Sequence, residues 1–321
     1  MTKPDKQRSA HVLRLGTRAS ALALTQSRMI ARMLEKSCRG LRVELVEIST
    51  TGDRVHDKAL KSFGGAGVFV KELEMALLEK RIDIAVHSLK DVPTQQPRGL
   101  AIAAIVGRED PRDCAIIKGA ATLAELRPGS IVGSGSERRR AQLVRLFPEL
   151  KFAEIRGNVE TRINKVANGE FAATILARAG LKRLGLLEKA AQTLPLASVL
   201  PAPGQGALGI ESRAADHATR TLLESIHNPE VALCVAAERF LLAMLGGGCN
   251  LPLGALGTVK GKRLQLHAFL GLADGSKSVT AKAVIAIDDH RSLLPAQKLA
   301  KTVRASLIEK GANDILAALG V

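Results

Sequence analysis

From residue 12 to about 183, short apolar runs of strand length alternate with longer amphipathic stretches, and nothing else in the sequence constrains the fold as tightly. VLRLGTR (12–18) leads through Ser20, a residue type suited to a helix N-cap, into a helical stretch to about Lys36, and LRVELVEIS (41–49) is the next strand. The pattern over 68–80 is helical, and the apolar strand IDIAVHS (82–88) runs into Lys90-Asp91-Val92-Pro93. After strands at 100–106 and 114–118 the rhythm resumes in SIVGS, KFAEI and FAATIL, followed by helices from about Glu137, Val159 and Arg178. Alternation of this kind predicts α/β sheets.

Two segments interrupt the rhythm. REDPRD, with Pro111 and five charges, links the strands at 100–106 and 114–118, and LPLASVLPAPGQG (194–206) holds three prolines and two glycines, too many for a regular element. Both read as crossovers between lobes, with GALGIES (206–212) a strand returning to the first. A helix at about 229–245 ends in Gly246-Gly247-Gly248, and strand-like segments at 253–260, 263–272 and 277–287 precede a terminal helical region. The expected organisation is therefore a first α/β lobe (1–107 with 206–226), a second (108–205) and a smaller C-terminal α/β domain (227–321). Two α/β lobes enclose a cleft, and ligands of open α/β sheets bind beyond the carboxyl ends of the strands.

Lys and Arg number 47 against 31 Asp and Glu, a net charge of +16 that calls for an anionic partner. Residues 127–183 hold twelve Lys or Arg, five Glu and no Asp, so the surplus is concentrated in the second lobe. The chain has seven Phe and neither Trp nor Tyr, which argues against stacking on nucleic-acid bases. No apolar run reaches the length of a membrane helix, and the start MTKPDKQRSAH lacks the apolar centre of a signal peptide, so the cytoplasm is the expected location. Cys38, Cys114, Cys234 and Cys249 show no CxxC spacing and are expected to be thiols.

Asp91 follows a buried-looking strand, where a carboxylate is placed for acid–base work, although the local pattern alone favours a turn-forming Asp. His87 on the same strand reads as a core histidine. SGSERRR (134–140) joins a small turn, a helix N-terminus and three arginines, a combination suited to carboxylates or phosphates. Arg156, Arg162, Arg178, Lys182 and Arg183 would extend that cationic wall, and Thr17-Arg18-Ala19-Ser20 offers a matching anion site in the first lobe. Cys249 stands after three glycines on an irregular loop that admits something large, and it has no second Cys or His at zinc-ligand spacing.

The ordered set GTRAS (16–20), TTGD (50–53), FVKELE (69–74), AVHSLKDVP (85–93), EDPRD (109–113), RGN with TR (156–162), LPAPGQGALGIE (200–211), AERF and GGGCNLP (237–252) resembles the porphobilinogen deaminases, also called hydroxymethylbilane synthases. The resemblance implies two periplasmic-binding-protein-like lobes joined by two crossovers, plus a smaller C-terminal α/β domain. It implies a transferase that condenses four porphobilinogen molecules head to tail, releases ammonia, and frees a linear tetrapyrrole by hydrolysis. By the same resemblance Cys249 carries a covalent dipyrromethane cofactor through a thioether, and Asp91 is the catalytic acid–base residue, its carboxylate stabilising an azafulvene cation. Ser136, Arg138, Arg139 and Asp91 would bind the cofactor, while Arg18, Ser20, Arg156, Arg162 and Arg183 would bind substrate acetates and propionates. No metal is expected, and the chain is expected to act as a monomer on a small molecule, without nucleic acid or membrane. The Gly-rich segment departs from the family pattern at Ser62 and Ala66, where lysines are usual, and Lys58 and Lys61 stand nearby out of register. The competing expectation is a non-enzymatic, two-lobed anion-binding protein with lobes that look alike, which would have no need of Cys249 on its glycine loop.

Overall fold

The computed structural model describes residues 11–48, 70–248 and 251–321. The expected alternation is present. β1 (His11–Thr17), α1 (Ala21–Ser37), β2 (Leu41–Glu47), α2 (Lys71–Leu78), β3 (Ile84–Ser88) and β4 (Leu100–Arg108) build the first lobe. Ser20 caps α1 by accepting from the Ala23 N–H, and Ile30 and Leu34, one turn apart, are buried on its inner face.

The second lobe comprises β5 (Asp113–Ile117), β6 (Ile131–Gly133), α3 (Glu137–Leu146), β7 (Lys151–Ala153), α4 (Val159–Ala167), β8 (Ala173–Ala177), α5 (Arg178–Arg183) and the two-residue β9 (Gln192–Thr193). Asn158 caps α4 by accepting from the Thr161 N–H. β10 (Ala207–Arg213) then returns to the first sheet, as the sequence suggested, and α6 (His217–Glu224), a helix the pattern did not announce, follows.

The two sheets share one strand order. The first runs β2-β1-β3-β10-β4, the second β7-β6-β8-β5-β9. In each, the strand arriving over a crossover from the other lobe lies antiparallel between its neighbours: β10 against β3 and β4, β5 against β8 and β9. Likeness of the lobes therefore does not separate an enzyme from a binding protein.

α7 (Pro229–Met244) opens the third unit with Asn228 as N-cap and Pro229 in the first turn, followed by the antiparallel sheet β11 (Leu253–Lys260), β12 (Arg263–Gly271) and β13 (Ser278–Ala286), then α8 (Leu294–Glu309) and α9 (Ala312–Ala318). Its core, which includes Leu233, Leu241, Leu266, Leu299 and Val303, is continuous across α7, β12 and α8. Smaller apolar clusters fasten it to both lobes: Leu89, Ile105 and Ala207 meet Ala232 and Val235 of α7, while Ala141 of α3 meets Leu200 and Phe269.

The crossovers touch. The Glu109 N–H donates to the Gly206 carbonyl at 3.1 Å, and Gly206 has φ +90°, where a Cβ would collide with the Glu109 carbonyl oxygen.

Candidate active site in the cleft between the lobes

β3 is buried at four of its five positions and opens into a single 3₁₀ turn, Leu89–Asp91. Leu89 seats over Gly209 of β10, where a Cβ would come within 2.9 Å of its Cδ1, and so fixes the start of the turn. The turn is closed by the Val92 N–H donating to the Leu89 carbonyl at 3.2 Å. Asp91 itself is exposed, and its carboxylate makes no hydrogen bond to another described residue. A turn-forming Asp would spend its carboxylate on the backbone; this one does not. His87 is a core histidine, 3.1 Å from the buried Glu211 carboxylate.

In the second lobe, α3 follows its N-cap residue Ser136, whose side chain makes no capping bond. Arg138 and Arg139 are 4% and 6% exposed, so they lie under the surface rather than on it. The Asp113 carboxylate spans them, accepting from Arg138 Nη2 at 2.8 Å and Arg139 Nη2 at 2.7 Å, while their Nη1 groups donate to the Leu200 and Ile175 carbonyls. Each guanidinium has five N–H donors and spends two on these bonds, and its Nε is buried with no partner among the described residues. Burial alone would raise the Asp113 pKa, but the charges and hydrogen bonds of the two arginines outweigh it and hold the carboxyl well below the usual carboxylate range. One carboxylate between two guanidinium groups leaves a net positive charge in a buried place.

Lys90, beside Asp91, joins this group. Burial lowers its pKa, the Asp91 charge opposes that shift, and Arg139, Asp113 and Arg138 all act on it, so the first lobe's turn lies within the field of the second lobe's arginine pair. Arg162 links the lobes in the same way. Its pKa is pushed down to about 10 by burial and then by Arg139 and Arg156, with Asp91 opposing, and its Nε donates to the Gly157 carbonyl at 2.8 Å. Arg156 is exposed and paired with Glu154 at 2.6 Å. Ser20 serves the α1 terminus and Arg18 is half-buried beside it.

The remaining members of the expected cationic wall sit against the crossovers. Arg178 lies 3.3 Å from Asp110, a carboxylate it shares with Arg112 at 2.6 Å, and Lys182 is paired with Glu109 at 2.8 Å, so both face acids of the first crossover. Arg183 donates to the Gly206 carbonyl at 2.6 Å, and burial lowers its pKa.

Several structuring residues were present in the quoted motifs without an assigned part. Glu238 of α7 is fully buried and accepts from Arg108 Nη1 (2.6 Å) and Nη2 (3.2 Å), from the Gly204 N–H (2.6 Å) and from the Gly257 N–H (2.7 Å). Arg108 Nε donates to the Gln205 carbonyl, and Gln205 Nε2 donates to Asp113 Oδ1 at 3.0 Å. A continuous polar chain thus runs from the third domain through both crossovers to the arginine pair. Cys249 lies outside the described residues, as do the TTGD motif and the positions Lys58, Lys61, Ser62 and Ala66.

Comparison with known proteins decides between the two readings. The family model "Porphobilinogen deaminase, dipyromethane cofactor binding domain" matches residues 13–221, and "Porphobilinogen deaminase, C-terminal domain" matches 232–309. The chain belongs to the porphobilinogen deaminase family. It is 46% identical over 305 residues to the porphobilinogen deaminase of Geobacter sulfurreducens, covering 95% of this chain and 94% of that one, and 45% identical to that of Chromobacterium violaceum, covering 95% and 97%. Among solved structures, the methionine-binding protein MetQ overlaps 71% of this chain and 94% of its own at TM-score 0.45 and 14% identity. A nutrient-binding protein from Burkholderia cenocepacia bound to methionine overlaps 68% and 93% at TM-score 0.44 and 16% identity. Neither likeness bears on what this cleft holds. As a member of this family the chain is a transferase of tetrapyrrole biosynthesis with a dipyrromethane cofactor, as its motifs implied. The cofactor-binding match spans the two lobes that supply Asp91, Ser136, Arg138 and Arg139.

Proposed function

We propose that the cleft joins four porphobilinogen molecules head to tail with loss of ammonia, on a dipyrromethane held through a thioether by Cys249, and releases the linear tetrapyrrole by hydrolysis. The observation that carries this reading is a bare carboxylate, Asp91, opposite a buried arginine pair that retains unpartnered N–H groups. The residues fit the cofactor: buried guanidinium groups with donors to spare, and a helix N-terminus whose serine is free of its cap, match the two carboxylates of each pyrrole unit. When bound, dipyrromethane supplies a tethered pyrrole whose free α-carbon is the nucleophile of the first condensation.

The protein's own groups do the rest. Ser136, Arg138 and Arg139 hold cofactor carboxylates, while Arg18, Ser20, Arg156, Arg162 and Arg183 bind the acetates and propionates of incoming substrate and growing chain. The Asp91 carboxylate stabilises the cation left when the substrate's aminomethyl nitrogen departs as ammonia, and lies beside the pyrrole N–H groups. Its lack of hydrogen-bond partners leaves its lone pairs for that task. Exposed and buried arginines together offset a substrate chain that gains carboxylates at every step.

The chain acts as a monomer in the cytoplasm on this small molecule, with neither nucleic acid nor membrane as partner. In support, each of its three units encloses its own core, and no helix among the described residues is long and apolar enough to cross a membrane.

Intact-mass and peptide mass spectrometry of chain made in cells that supply porphobilinogen tests the reading. A two-pyrrole adduct should reside on the peptide containing Cys249. Cys114 and Cys234 are buried, and burial raises both thiols, that of Cys234 to about 12, which makes them poor nucleophiles. Unmodified chain, or an adduct on Cys38, Cys114 or Cys234, would overturn the assignment.

A further inference from the structure

Arg239 stands beside Glu238 on α7, in the third domain, yet its guanidinium reaches into the first lobe. Nη1 donates to the carbonyls of Leu89 (3.4 Å) and Val92 (2.9 Å), and Nη2 donates to the carbonyl of Pro93 (2.7 Å). Those carbonyls belong to the turn that carries Asp91, one before it in the chain and two after it. A planar fork with fixed donor directions constrains the backbone on both sides of one residue, whereas the single ammonium of a lysine cannot. Pro93 fixes its own φ, so the segment 89–93 has little freedom left.

α7 ends at Met244 and the chain passes through Gly246–Gly248 to Cys249. One helix therefore grips the Asp91 turn with a side chain and leads, at its carboxyl end, to the proposed tether. Asp91 makes no hydrogen bond to another described residue, so besides the charges of Lys90 and Arg162 the direction of its carboxylate depends on the backbone beneath it.

We propose that Arg239 is a positioning residue for Asp91, holding the 89–93 turn so that the carboxylate meets a pyrrole unit tethered from the end of the same helix. The proposal rests on the reading of Asp91 and Cys249 given above. It assigns Arg239 no contact with substrate, and it differs from simple domain fastening, which Glu238 and the apolar contacts of Ala232 and Val235 already provide.

The test uses holoenzyme variants Arg239→Ala, Arg239→Lys, Asp91→Asn and the double variant Asp91→Asn/Arg239→Ala. Adduct occupancy by intact mass, kcat and KM, and amide hydrogen exchange of the 88–93 segment are measured on each. Misplacement of a reacting group by about 1 Å costs on the order of 100-fold, so Arg239→Ala, fully loaded with adduct, should lose roughly 10- to 100-fold in kcat with KM little changed. The Val92 amide should exchange faster, Arg239→Lys should recover part of both effects, and the double variant should be no slower than Asp91→Asn alone. If Arg239→Ala does not fold, Arg239→Lys is read in its place, with a smaller loss of kcat and faster exchange expected. Unchanged kcat in a loaded variant, a rise in KM alone, or losses that multiply in the double variant would overturn the proposal. Near-normal turnover by Asp91→Asn would instead remove the reading beneath it, and the positioning role with it.

Discussion

The two lobes share a strand order and differ in where they put negative charge. In each, the second strand in the sheet order, β1 or β6, leads through a serine into a helix: Ser20 caps α1, and Ser136 stands uncapping before α3. In each, a central antiparallel strand arrives from a crossover, β10 starting at Ala207 and β5 at Asp113. The third strands in the sheet order part company: β3 runs into the turn that carries an exposed Asp91, whereas β8 passes straight into α5 at Arg178, which shares Asp110 with Arg112. The first lobe thus leaves its carboxylate bare, and the second buries one under two arginines. One topology brings equivalent strand ends to the cleft, and the side chains there decide which lobe handles developing positive charge and which holds anions.

The largest expected effect comes from removing the arginine pair. Arg138→Leu/Arg139→Leu leaves the Asp113 carboxylate buried without a counter-charge, which should cost about 3–5 kcal/mol of stability and abolish the adduct. Adding Asp113→Leu should restore much of the stability, read by urea unfolding, but not the adduct, read by intact mass. An adduct in the triple variant would show that the pair serves the fold alone.

Asp91→Asn should lower turnover by about 100- to 1000-fold, the scale for losing electrostatic stabilisation of a transition state, with the thermal midpoint unchanged because no described hydrogen bond is lost. A large drop in midpoint would make Asp91 as structural as Asp113 and erase the contrast between the lobes.

Acidification offers a milder probe. The folded-state pKa of Asp113 is depressed, so its stabilisation is fully present above the unfolded carboxylate value of about 4 and is lost as pH falls below it. Unfolding free energies measured between about pH 5 and 3 should fall more steeply for the wild type than for the Asp113→Leu/Arg138→Leu/Arg139→Leu variant. Equal slopes would place Asp113 outside the acid response.

Arg156→Leu should change stability by less than about 1 kcal/mol, because its pairing with Glu154 is exposed, while KM for porphobilinogen rises several-fold. An unchanged KM would make Arg156 a solvated surface charge.

The alternation of elements was legible because strand and helix periods are local: β3, α4 and β10 lie within a residue or two of where the apolar pattern put them. α6 and the two-residue β9 were not, since eight residues and two leave little period to read. Asp91 and the arginines could be named from motifs, but their states could not. Nothing around Arg138 and Arg139 announces that they are buried, because their counter-charge comes from Asp113, 25 and 26 positions earlier, and from carbonyls at Leu200 and Ile175.

What the sequence determined by itself was the order of strands and helices, the two crossovers, the basic second lobe and, through its motifs, the family. The tertiary structure decided which charges stay free for chemistry. Asp110 and Glu109 draw Arg178 and Lys182 to the first crossover, Asp113 pins a pair that keeps spare donors, and Arg239 on a distant helix grips the turn beneath a carboxylate with no described hydrogen-bond partner. A charge is neutralised or left available by whatever lies within a few ångströms of it, and in a chain that crosses twice between lobes those neighbours are set by the closing of the fold.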